Sequence, residues 1–185
     1  MTNHPMPGSR ERGSGLIVVI MIVAFMLAVG MLLLAVTGTS PKVSDSMRLQ
    51  GLAFDAAEAG FNAAWAELND RFSSGVMMSF AGQYRTTFNG AEGLDDPTLP
   101  NSYFRGLTDQ QIVDDFVTYP PNPLDTFFIS APLATDPRCS YTVFLINDEA
   151  PNTIPINDND CILLCIGRGP RDTFKRLEII IECPQ

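Results

Sequence analysis

The sequence predicts an α+β fold in which a long amino-terminal helix covers an antiparallel sheet from the carboxy-terminal third. Three observations predict it: an apolar run from Leu16 to Val36 with no ionisable group, an amphipathic stretch from Lys42 to Phe72, and three strand-like segments after Cys139. A sheet with one apolar face needs a cover, and an amphipathic helix needs something to cover.

The apolar run lies within "RERGSGLIVVIMIVAFMLAVGMLLLAVTGTS", residues 10 to 40. A helix rises about 1.5 Å per residue and a bilayer core is roughly 30 Å thick, so about 20 apolar residues suffice to cross it. Leu16 to Val36 meets that length. A cleavable secretory signal has an apolar region of about 7 to 15 residues and an A-x-A-like site. Here the run is longer and ends in Thr37-Gly38-Thr39-Ser40-Pro41, so the expectation is a span. A chain of this size rarely builds a core that would cover such a rod on every side. Gly30 lies within it, where a glycine permits close helix packing but is also common without that role. Arg10 and Arg12 precede the span and Lys42 and Arg48 follow it, which is a near tie by basic residues. The short leader and the long acidic remainder place the amino terminus in the cytoplasm and the bulk outside.

Charge narrows the function classes. The chain carries 12 Lys plus Arg against 21 Asp plus Glu, a net charge of -9. Such a surface repels phosphates, and no basic stripe interleaved with aromatics offsets it, so nucleic acid is not an expected partner. The length after Ser40 suits one ordinary domain, and no internal repeat of solenoid period is visible.

Residues 42 to 72, "KVSDSMRLQGLAFDAAEAGFNAAWAELNDRF", carry Met47, Phe54, Phe61 and Leu68 every seven residues. Ala57, Ala64, Trp65 and Phe72 fill the same broad face, while Asp55, Glu58, Glu67 and Asp70 lie largely off it. The spacing predicts one amphipathic helix whose Phe54 and Phe61 pack on the sheet. Gly38 and Pro41 are positions for a kink or break between the two helical stretches.

Residues 73 to 137 are rich in Gly, Pro, Ser and Asp and read mostly as loops. Thr108 and Gln111 form a T-x-x-Q capping box ahead of a short helix that buries Ile112, Val113, Phe116 and Val117. "DTFFIS" (125 to 130) reads as a short strand. "SYTVFLIN" (140 to 147), "CILLCIG" (161 to 167) and "FKRLEIIIE" (174 to 182) read as an antiparallel meander.

This order of features, Gly13 before a membrane-length helix, then "LAFDAAEAGFNAAWAEL", then a meander, resembles type IV pilin-like proteins, and most of all the PilX amino-terminal family of pilus assembly proteins. "AFDAAEAG", Ala53 to Gly60, is the most diagnostic piece, and the likeness covers residues 10 to about 70. The resemblance implies a leader at 1–13, a filament-core helix at 14–40, its amphipathic continuation at 41–72, and an exported head at 73–185. That head comprises an insertion at 73–137 and a meander at 138–185. It further implies cleavage after Gly13 by a prepilin peptidase, with Ser14 as the new amino terminus. The helix then leaves the bilayer to pack in a filament. Pilins commonly carry glutamate at the fifth position after the cut; here that position is Val18, and a cut after Gly15 would put Ile20 there. The departure fits a minor subunit that primes or tips the filament.

The implied partners are major and minor pilins, the prepilin peptidase, the inner-membrane assembly platform and, before assembly, the bilayer. The implied location is the inner membrane with a periplasmic head, then the extracellular filament. The alternative is a single-pass, extracytoplasmic structural or adhesive domain that never enters a filament.

Chemistry offers little to an enzyme. The only histidine, His4, lies in the leader, so no Ser-His-Asp or Cys-His arrangement can form in the head. No catalytic residue and no cofactor is expected. The cysteines do not form paired C-x-x-C knuckles. The oxygen-rich run Asn157, Asp158, Asn159 and Asp160 is a weak calcium candidate that lacks the EF-hand spacing, and a solvated turn is the competing reading. Cys139, Cys161, Cys165 and Cys183 in an oxidising compartment suggest two disulfides. Cys161 and Cys165 are about 13 Å apart on one strand, too far to bridge. A hairpin turning near Pro170 brings Cys183 toward Cys161 and leaves Cys139 with Cys165.

Overall fold

The computed structural model describes residues 14–119, 126–147 and 159–183, and is α+β with an amino-terminal apolar helix and a carboxy-terminal antiparallel sheet. The chain divides between Ser46 and Met47 into two compact units. Helix α1, Ser14–Ser73, contributes to both and is helical through Gly38 and Pro41.

In the second unit, β3 (Thr126–Leu133), β4 (Asp136–Ile146), β5 (Asp160–Gly169) and β6 (Thr173–Glu182) form a four-stranded sheet in chain order. Every neighbouring pair is antiparallel. The meander expected from residue 138 onward therefore gains β3 as a further strand. Its edge position and register shifts accommodate Pro132, which has no N–H to give a central ladder.

The sheet is buried on both faces. Val143, Leu145, Cys161, Leu163 and Cys165 pack with Ala64, Leu68, Met77 and Phe80 on the α1 side. Phe144, Ile146, Ile162, Leu164 and Ile166 pack on the other side with Phe88, Leu94, Phe104, Ile112 and Phe116. Two-sided burial explains why "CILLCIG" is apolar at nearly every position instead of alternating. The proline-rich segment, expected mostly as loops, thus supplies the second cover.

That cover contains α2 (Asp109–Thr118), closed at its start by the expected capping box: Thr108 accepts from Gln111 N–H while the Gln111 side chain accepts from Thr108 N–H. Ile112, Val113 and Phe116 are buried as expected, but Val117 is 65% exposed because the next helical position turns it away from the sheet. The cover also holds a short hairpin, β1 (Thr87–Phe88) with β2 (Ala91–Glu92), in a stretch where the composition predicts only loop. Its turn is Asn89-Gly90, both at positive φ (51° and 74°), the pairing that suits a tight hairpin. Arg85 and Asp115 tie this layer together at 3.3 Å, both nearly inaccessible. Asp115 also accepts from Asn89 N–H at 2.7 Å, and Arg85 donates to the carbonyls of Thr87 and Tyr119.

Candidate functional site

The feature most able to carry a function is α1, and its two stretches differ in what they leave bare. Gly15–Leu34 has a mean hydropathy of 3.2, none of it buried, and is long and apolar enough to cross a membrane or to act as a signal sequence. Val18 lies in this stretch and is 52% exposed. A Cβ on Gly30 would meet nothing, so the glycine opens a shallow notch flanked by Met26, Leu27, Met31 and Leu34.

From Leu49 onward the buried face is made of small residues. Ala53, Ala56, Ala57 and Ala64 are fully buried, Gly60 joins them, and Leu49 and Leu68 close the ends. The spacing of three and four keeps them on one stripe. It lets the backbones of α1 and β5 nearly touch: a Cβ on Gly167 would fall 2.0 Å from the Ala53 carbonyl oxygen and 2.4 Å from the Ala57 nitrogen. Gly169 approaches Ala53 in the same way. A Cβ on Gly60 would meet Tyr141 and Val143 at 3.0 Å.

This packing overturns the expected role of the large residues. Phe54 is 41% exposed, Met47 68% and Trp65 46%, so these three members of the expected face point away from the sheet, while Leu68, Ala57 and Ala64 of the same face are buried. Phe61 is half-buried at the margin and stacks on Trp65 with ring centroids 6.2 Å apart. A bulky side chain cannot enter a gap where a single methyl group already clashes with backbone, so the alanines take the interface and the aromatics are displaced outward. The signal for it was present in Ala53, Ala56, Ala57, Gly60 and Ala64 together with Gly167 and Gly169 on one strand.

The cysteines are all thiols in this structure. Val143, not Cys139, stands opposite Cys165, and Cys139 lies four residues earlier on β4, about 13 Å away along the strand. The expected Cys139–Cys165 bridge therefore does not fit the register. Cys161 faces Ile181, which sets Cys183 diagonally beside it on the same face. Burial pushes the Cys165 thiol up to about 12 and raises those of Cys139 and Cys183. Such thiols are poor nucleophiles.

Of the remaining expected sites, Gly13, Asn157 and Asp158 lie outside the described residues. Ser14 opens α1. The Asn159 carbonyl is taken by Cys183 N–H at 2.6 Å, and one buried Asp160 carboxyl oxygen has no hydrogen-bond partner among the described residues. No group of three metal-ligating side chains occurs among the described residues.

No protein-family model, curated protein or solved structure matches this chain.

Proposed function

We propose that the protein is a minor pilin-like structural subunit that takes part in assembling or priming a type IV pilus or related filament. The observation that carries this reading is α1 itself. Its apolar stretch is bare, and where it meets the sheet it does so through small residues that leave Met47, Phe54 and Trp65 facing outward. A simple anchor requires only the span; an assembly helix also requires an apolar face beyond it for neighbouring helices. The resemblance of residues 10 to about 70 to the PilX amino-terminal family supplies the partners: other pilins, the prepilin peptidase and the assembly platform. Val18, in place of the usual glutamate, suits a subunit present in few copies.

Amino-terminal sequencing of the filament-associated protein tests the reading, with Ser14 as the expected first residue. Quantitative mass spectrometry of sheared filaments is expected to find the chain at low abundance beside a dominant subunit. A chain that keeps its leader and is missing from filaments is a membrane-tethered structural domain instead. A chain that dominates the filaments is a major pilin.

A further inference from the structure

β6 ends the sheet with a straight edge on which no other described strand pairs. Its register with β5 runs from Asp160↔Glu182 to Gly169↔Thr173 without a bulge. Cys183 N–H donates to the Asn159 carbonyl, which makes the odd-numbered residues of β6 the ones that exchange hydrogen bonds with β5. Phe174, Arg176, Glu178, Ile180 and Glu182 therefore turn their N–H and C=O groups outward. None of these groups has a partner among the described residues. Such an edge is a template for another strand, whereas the opposite edge, β3, is blunted by register shifts and Pro132.

We propose that β6 pairs antiparallel with β6 of a second copy, about a two-fold axis at Leu177. Charge selects this register. Centred on Leu177, Arg176 faces Glu178 of the second copy, Glu178 faces its Arg176, and Phe174 and Ile180 face each other in both directions. Moving the centre one residue either way sets Glu178 against Glu178 or Arg176 against Arg176, and like charges directly opposite repel. In the chosen register the outward groups of Phe174, Arg176, Glu178 and Ile180 all gain partners. Ile180, 67% exposed in the single chain, gains an aromatic neighbour.

The edge is already ordered for this contact. Arg176 is held by Asp109 at 2.6 Å and by the carbonyls of Phe104 and Leu107, and Glu178 by Arg105 at 2.9 Å. Little side-chain freedom remains to be lost on pairing. Between Leu49, beside Thr173, and Leu68, which shares a core cluster with Cys161 and Leu163, α1 follows the strand direction. The two-fold axis therefore sets these helical stretches antiparallel. The contact stands whether or not the chain enters a filament.

Sedimentation equilibrium of the full chain in neutral detergent micelles tests it, and a reversible dimer is expected. Ile180→Pro removes an outward N–H while sparing the ladder to β5, so the dimer is expected to weaken about a hundredfold with an unchanged circular-dichroism melt. Glu178→Lys sets a cation opposite Arg176 twice and is expected to weaken it about tenfold. If Ile180→Pro melts the fold, Glu178→Lys alone decides. A chain that stays monomeric, or a dimer indifferent to the substitutions that fold, overturns the proposal.

Discussion

Gly167 of β5 lies against Ala53 of α1 so closely that a methyl group on it would sit 2.0 Å from the Ala53 carbonyl oxygen. The neighbouring atoms are backbone and cannot step aside without moving the helix off the sheet. Gly167→Ala is therefore expected to destabilise the head by at least about 3 kcal/mol, read as a melting point lower by about 10 °C. Gly51 has nothing within 4 Å of its would-be Cβ, so Gly51→Ala is expected to stabilise by about 0.5 to 1 kcal/mol through helix propensity. Equal melting points for the two variants would show that α1 and β5 are not in contact.

Phe54 gives the complementary expectation for assembly. Because it is 41% exposed, Phe54→Asp buries no charge between helix and sheet, and the melting point is expected to stay within a few degrees of the parent. Recovery of the chain with sheared filaments is expected to fall, since a charge then stands on the outer apolar face. A collapse of the melting point would return Phe54 to the interior.

Arg85 and Asp115 form a buried pair whose remaining bonds go to the backbone of Thr87, Asn89 and Tyr119. Asp115→Ala leaves a buried guanidinium without its counter-charge and is expected to cost about 3 to 5 kcal/mol in chemical denaturation. The double variant Arg85→Met, Asp115→Leu is expected to cost much less than the sum of its single variants, because both charges leave together.

Asp95 couples the fold to pH. Burial chiefly, with the nearby charges of Asp96 and Glu92, raises its carboxyl above the usual 3.8, against the opposing pull of its own backbone N–H. A raised carboxylate pKa means that the folded chain holds the proton more tightly. The penalty on folding is therefore absent well below 3.8 and grows as pH rises through and above it. Asp95→Asn is expected to melt higher than the parent at pH 7 and to lose that advantage in acid. A pH-independent difference would mean that the titration of Asp95 is not its cause.

For the cysteines, the register favours one bridge. Treatment of the folded chain with oxidised glutathione is expected to link Cys161 to Cys183, which sit diagonally at the open end of the β5–β6 hairpin, where a small shift closes the gap. Cys139 and Cys165 are expected to stay free and to be alkylated only after denaturation. A Cys139–Cys165 peptide in the non-reducing map would contradict the β4–β5 pairing.

Local patterns in the sequence determined the elements. Apolar length defined the first stretch of α1, and the T-x-x-Q pair at Thr108 and Gln111 capped α2. The β-branched and aliphatic runs after Cys139 became strands because their turns lie between them, above all at Gly169 to Thr173. Each of these signals acts over a few residues, within reach of the chain's own backbone. Tertiary structure alone decided which face of α1 turns inward. Heptad spacing favoured Phe54 and Phe61, but Gly167 and Gly169, more than a hundred residues further along the chain, leave room only for alanine, and a close backbone approach excludes the larger rings. The part of the second cover that precedes α2, from Phe88 to Leu107, was likewise invisible locally, because irregular segments owe their placement to burial against Phe144 and Ile166 rather than to any period of their own.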